Sequence, residues 1–133
     1  MTELVTLLSF REVTRRFSQQ KYPAVKGVSL DVNDGDILAL IGESGSGKTT
    51  LLGICAGLDT PTSGEIKLNG VSLGELSEDQ RSDVRNRFVG FVFQNFQLLP
   101  TLTALGNVMV PLELRGESDV ESEAKDLLKK VGL

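Results

Sequence analysis

Residues able to do chemistry are concentrated in one run, Gly42-Glu43-Ser44-Gly45-Ser46-Gly47-Lys48-Thr49-Thr50, which matches the pattern G-x-x-x-x-G-K-[ST]. A polyphosphate carries several negative charges, so a loop that holds one must offer many donors at short range with few side chains in the way. Glycines at 42, 45 and 47 allow that approach and the positive φ angles it requires. A helix beginning at the end of the loop adds unpaired N–H groups and the positive end of its dipole. Lys48 can then reach the outer phosphates as a point charge, and the Thr49 hydroxyl is placed to ligate Mg²⁺. Glu43 would repel phosphate if it pointed inward, so its side chain is expected to face away. The competing reading is a Gly/Ser-rich loop ending in Lys-Thr by accident, expected in a chain this short on the order of one time in a hundred or fewer.

Such a loop needs a strand before it and a helix after it. Residues 37–41, Ile-Leu-Ala-Leu-Ile, form an unbroken apolar run of strand length, the pattern of a parallel strand covered on both faces. Leu51, Leu52 and Cys55 then recur at helical spacing as far as Gly57, which suits the position just past a helix end. Residues 4–14 and 25–32 read as two further strands, and 65–68 as a short alternating one closed by Asn69-Gly70. Together they predict a small antiparallel β layer, about 1–35 and 64–75, beside the parallel sheet. Residues 88–93 read as a second buried strand with Gln94 at its C-terminal end, the end at which open α/β sheets bind ligands.

Three more helices are expected. Ser77 with Gln80 is a capping-box pair opening a charged helix over about 78–86, with Asp83 and Arg87 four apart. Leu105, Val108, Met109 and Leu112 share one helical face that Pro111 should kink or end. Ser118 with Glu121 suggests another capping box, followed by Ala124, Leu127, Leu128 and Val131, with Lys129-Lys130 in the last turn and Gly132 at the stop.

Composition narrows the classes. At 133 residues and 14.4 kDa the chain is one domain at most. Its 40% hydrophobic and 24% charged content is ordinary for a globular protein, and a net charge of −4 argues against coating nucleic acid. The single Cys55 excludes an internal disulfide and reads as a small buried residue. Without histidine, hydrolysis by these residues alone would need another base. The N-terminus, with Glu3 and no basic start, does not read as a signal peptide, and the apolar runs fall short of the roughly 20 residues that span a bilayer. The expectation is a cytoplasmic chain whose membrane association comes through a partner.

With Gln94 set beside the loop at 42–50, the chain resembles the ATP-binding subunits of ABC transporters, over nearly all of its length. The likeness rests on the loop as Walker A, on Gly57-Leu58-Asp59-Thr60-Pro61-Thr62-Ser63-Gly64-Glu65-Ile66, and on Val89-Gly90-Phe91-Val92-Phe93-Gln94 as the Q-loop strand. Residues 96–105 and Asn107-Val108-Met109-Val110-Pro111 are similar to the lipoprotein-release and macrolide-export group, the LolD, MacB and YbbA types. The implied fold is an α/β P-loop NTPase-type parallel sheet with flanking helices and a small antiparallel layer, forming the N-terminal portion of one nucleotide-binding domain. Its P-loop core would be about 36–58 and 88–94, and its Q-loop and following helices 94–133. The resemblance implies that Lys48 and the backbone of 45–50 bind the phosphates of ATP and that Thr49 and Gln94 contact Mg²⁺. Gln94 would also link the nucleotide to a membrane permease docked through 94–114. An aromatic ahead of the first strand pair stacks on adenine in this family; Phe17 fits by position, with Tyr22 the alternative, and either could instead pack on the β layer.

Two departures qualify the likeness. Gly106 stands where the group carries an acidic residue, which loosens that helix without touching the nucleotide. The signature motif, the Walker B aspartate, the catalytic glutamate and the switch histidine all belong beyond residue 133. Intact members hydrolyse ATP as homodimers, so these 133 residues alone are expected to be hydrolytically dead. A sheet without its later strands would leave residues 37–41 uncovered, making the piece marginal or self-associated. A non-catalytic nucleotide-binding or permease-docking module is the second reading. A GTPase or small-molecule kinase is a distant third, since no Asn-Lys-x-Asp is present to read guanine.

Overall fold

A computed structural model describes residues 4–133, so Glu3, which entered the reading of the N-terminus, lies outside the described residues. The chain divides into two compact units, Met1–Gly90 and Phe91–Leu133.

The first unit is built on the expected antiparallel layer. Strands β1 (Thr6–Arg15), β2 (Val25–Asn33), β3 (Ser63–Leu68) and β4 (Val71–Ser72) form one sheet in the order β2-β1-β3-β4. Phe10 lies opposite Leu30 on one side and Ile66 on the other. The alternation in β1 looks incomplete in sequence because the strand bulges: Glu12 takes φ 49° and both ladders shift register there. One extra residue re-aims the chain, so the even-numbered Phe10 and the odd-numbered Val13 are both buried. Asn69 and Gly70, both at positive φ, turn β3 into β4 as a two-residue hairpin.

Helix α1 (Lys48–Cys55) covers one face of this sheet through Ile54, which is fully buried in a cluster with Phe10, Val13, Val25, Ile66, Leu68 and Leu73. It stops as expected at Gly57, whose N–H donates to the Ile54 carbonyl at 3.0 Å while Leu58 N–H reaches Gly53 O at 2.8 Å. Helix α2 (Glu78–Phe88) opens with the predicted capping box. Ser77 Oγ accepts from Gln80 N–H, and the Ser77 N–H donates to Gln80 Oε1. Arg85 of α2 donates from Nη1 to the Gly57 carbonyl at 2.7 Å, fastening α2 to the end of α1.

Two expectations fail locally. Residues 37–41 join no ladder: Ile37 is 100% and Ile41 94% exposed. Residues 89–93 likewise form no strand, and Val92 is 96% exposed. An apolar run promises burial only where neighbouring strands supply hydrogen-bond partners and a covering face. Among the described residues, none pairs with either run. Gln94 accordingly stands in an exposed turn rather than at a strand end.

The second unit packs α3 (Ala104–Leu114) against α4 (Val120–Lys130), burying Leu112 and Ala124. Thr103 caps α3 by accepting from Gly106 N–H at 3.1 Å. Pro111 does not end the helix, which continues to Leu114; Pro111 lacks one N–H, yet its carbonyl still accepts from Arg115. The capping box expected from Ser118 and Glu121 is absent. The residue preceding α4 is Asp119, at φ 61°, which places Glu121 one position too early to reach back. Glu121 bonds Lys125 instead, at 2.6 Å. Gly132 and Leu133 donate to Lys129 O and Leu128 O, closing α4 as the sequence suggests.

Candidate functional site

The loop at 42–50 is a bend, closed by Ser46 N–H to Glu43 O at 3.2 Å. Gly45 and Gly47 take positive φ, 79° and 95°, as expected. Gly42 does not take positive φ; its need is for space, since a Cβ there would lie 2.8 Å from Ser46 Oγ. Gly47 is the tightest point. A Cβ on it would come within 2.1 Å of the Ala24 carbonyl oxygen, so the loop is seated directly on the backbone entering β2.

Gly47 is also the N-cap of α1, and no side chain caps that helix. The first-turn N–H groups of Lys48, Thr49 and Thr50 are therefore turned to the loop side, where an anion can take them. Lys48 is held across the bend. Its ammonium donates to Gly42 O at 2.5 Å and Glu43 O at 2.6 Å, with a longer contact to Ser46 Oγ at 3.3 Å. Two short bonds fix the charge, and the third, weak one is the donor it can give up to a phosphate oxygen. Glu43 and Ser44 are exposed, and Glu43 contributes its main-chain carbonyl. The Thr49 residue is exposed at the second position of α1, and Thr50 is half-buried beside it.

Beside the bend lies a cavity of about 290 Å³ lined by Val25, Lys26 and Val28 of β2, Leu40, and the Gly47-Lys48 step. Lys26 and the Ala24 carbonyl were not singled out in the sequence, because neither belongs to a pattern; only the packing of β2 under the loop brings them there. Among the described residues no cluster of His, Cys, Asp or Glu could hold a metal by itself. The donor set instead fits Mg²⁺ held by a hydroxyl together with phosphate oxygens, an arrangement this cation favours.

Phe17 and Tyr22 are placed differently. Phe17 is half-buried, with the Arg15 guanidinium carbon 4.6 Å from its ring centroid, so one ring face is already used. Arg15 in turn pairs with Asp59 at 2.9 Å. Tyr22 is 70% exposed with Lys21 over its ring. Neither aromatic is among the residues lining the cavity. Burial pushes the Cys55 thiol up to about 11, which makes it a packing residue and a poor nucleophile. Gln94 belongs to the second unit, with Phe91 and Phe93 paired just before it at 4.4 Å between ring centroids.

The chain is 44% identical to the macrolide export ATP-binding/permease protein MacB of Syntrophobacter fumaroxidans, over 98% of the chain and 19% of that protein. It is 55% identical to the uncharacterized ABC transporter ATP-binding protein YbbA of Escherichia coli K12, over 80% of the chain and 48% of that protein. With the lipoprotein-releasing system ATP-binding protein LolD of Alcanivorax borkumensis it shares 40% identity, over 100% of the chain and 60% of the relative. The chain thus spans less than two thirds of the length of each. The ATP-binding cassette MJ0796, solved as a dimer in a post-hydrolysis state bound to ADP and Pi, superposes with a TM-score of 0.85 at 36% identity, covering 92% of this chain and 56% of that one. Its α/β cassette fold is the class to which these elements belong. The ABC transporter family model matches residues 25–133, from the first residue of β2 under the loop through α4 to Leu133, and on that match the chain belongs to the ABC transporter family.

Proposed function

We propose that this chain is the nucleotide-binding part of an ABC transporter ATPase that powers a membrane permease in lipid, lipoprotein or drug export. The observation that carries the reading is the Lys48 ammonium fixed across a glycine bend by two carbonyls at 2.5 and 2.6 Å, above an uncapped helix N-terminus. That arrangement suits the β- and γ-phosphates of ATP: main-chain N–H groups at 45–50 surround them, Lys48 neutralises charge, and the Thr49 hydroxyl offers an oxygen to Mg²⁺. When bound, Mg²⁺ draws electron density from the phosphate oxygens and offsets their charge. Phe17 would stack on adenine with the ring face that Arg15 leaves free. In the intact transporter ATPase, positioning and electrostatic stabilisation drive phosphoryl transfer to water, within a homodimer.

The second unit carries the permease-facing role, through residues 94–114. Phe96 and Leu98 there are 84% and 66% exposed, as a docking segment requires. The position at the cytoplasmic face of the membrane is proposed from that permease partner; among the described residues no helix is long and apolar enough to cross a membrane. A polypeptide of these 133 residues, which contain no histidine, should bind Mg-ATP without turning it over. Titration calorimetry with ATP, with Lys48→Ala as the control, checks binding. Equal affinity in the two would refute the site, and turnover abolished by Lys48→Ala would refute the absence of hydrolysis.

A further inference from the structure

We infer that Asn107 is a positioning residue: its carboxamide holds residues 99–103 in the one conformation that presents the neighbouring apolar side chains outward. The inference deepens the reading of 94–114 as a docking segment, and rests on it for its purpose.

Leu99 N–H donates to Asn107 Oδ1 at 2.7 Å. Asn107 Nδ2 donates to the carbonyls of Leu99, Leu102 and Thr103, at 3.1, 3.3 and 3.0 Å. A carboxamide has two N–H hydrogens and one acceptor oxygen; here three carbonyls share both hydrogens and the oxygen takes the Leu99 amide. Every partner is a main-chain atom. Asn107 therefore reads the path of the loop and is indifferent to its side chains.

The clamp is itself anchored. Asn107 N–H donates to Thr103 O at 2.9 Å, and Thr103 Oγ1 accepts from Gly106 N–H, so the carboxamide projects from a capped first turn of α3. Besides these bonds the loop has the turn closed by Leu102 N–H to Leu99 O at 3.1 Å. Leu98, Leu99 and Leu102 are 66%, 48% and 40% exposed, so apolar burial does not fix their backbone. Just upstream, Phe96 and Gln97 stand at φ 46° and 55°, a conformation that residues with a Cβ leave when their surroundings release them. A polar clamp lets a loop stay ordered while its apolar side chains face solvent, which a hydrophobic core cannot do.

Amide hydrogen exchange on the full 133-residue chain tests this. In Asn107→Ala, the Leu99 amide should exchange about tenfold faster or more, on the order of one lost hydrogen bond plus the release of its neighbours. Amides of α4, and of α3 beyond Val108, should stay within about twofold of wild type. An unchanged Leu99 amide overturns the inference, as does a rise of equal size throughout α3 and α4, which would mean that Asn107 only stabilises the helix pair. Should Asn107→Ala fail to fold, the near-isosteric Asn107→Leu keeps the side-chain volume while removing the acceptor for Leu99 N–H and both donors, and the Leu99 amide must again be released. Continued protection of Leu99 in that variant also overturns the inference. Leu98→Ser separates the docking reading: if it leaves Leu99 protected and does not weaken capture of the purified permease in detergent, docking through this loop fails while the Asn107 clamp stands.

Discussion

Gly47→Ala is the sharpest probe of how the phosphate loop is held. Gly47 takes φ 95°, and a Cβ there would meet the Ala24 carbonyl oxygen at 2.1 Å and its carbonyl carbon at 3.2 Å. Reaching even the 3.0 Å limit of real Cβ contacts requires the loop and the backbone entering β2 to separate by 3.0 minus 2.1, or about 0.9 Å. The left-handed backbone costs about 1–2 kcal/mol, and forcing apart packed backbone costs about 1–3 more. The expected destabilisation is therefore about 2–5 kcal/mol. Gly45 supplies the control, because it has φ 79° but nothing within 4 Å of where an added methyl would stand, so Gly45→Ala should bear only the backbone cost, about 1–2 kcal/mol. The functional cost follows the same displacement. Moving the first-turn N–H groups by most of an ångström weakens charge-assisted bonds worth about 1.5–3 kcal/mol each, so the Kd for Mg-ATP should rise about tenfold or more. Urea denaturation of both variants, with ATP titration of each, gives the comparison. If Gly47→Ala proves no less stable and binds ATP no more weakly than Gly45→Ala, the seating of the loop on Ala24 is wrong.

Two further predictions concern the first unit. Arg85→Ala removes a bond to a buried main-chain carbonyl, that of Gly57, and should cost about 1–2 kcal/mol by denaturant unfolding; Arg87→Ala, which removes only an exposed pair with Asp83, should cost about 0–0.5 kcal/mol. A comparable loss in both would remove α2 as a fastening for α1. The Glu78 carboxyl is held below its ordinary value of 4.5, chiefly by hydrogen bonds from Arg81 and then Arg85. A depressed carboxyl contributes stability that is present above about pH 4.5 and lost as the pH falls below it, so Glu78→Gln should flatten the acid limb of the stability profile, and added salt should reduce the difference. An acid limb identical in wild type and Glu78→Gln assigns that sensitivity elsewhere, with the Asp31–Arg11 pair the next group to replace.

What could be read from the chain alone was whatever depends on residues close in sequence. The bend before Lys48, the Ser77–Gln80 box and the helix stop at Gly57 are each local: a hydrogen bond across three to five residues leaves its mark in residue type and spacing. The Ser118–Glu121 pair failed at the same level, because the helix began one residue later than the pattern assumed and the two side chains lost their geometry. The small antiparallel layer was legible too, although its bulge at Glu12 was not, since alternation records faces and not the residue that interrupts them.

Tertiary structure decided the rest. Burial of an apolar run belongs to its neighbours as much as to itself, which is why residues 37–41 look like a core strand in sequence while Ile37, Leu38 and Ile41 stand exposed here. The Ala24 carbonyl against Gly47, the Arg15 guanidinium on Asp59 and the four bonds of Asn107 join groups whose partners are backbone atoms or distant side chains. Backbone carbonyls are alike in every residue, so no letter of the sequence marks which of them will be met; only the folded path of β2 and of the loop before α3 brings them within reach.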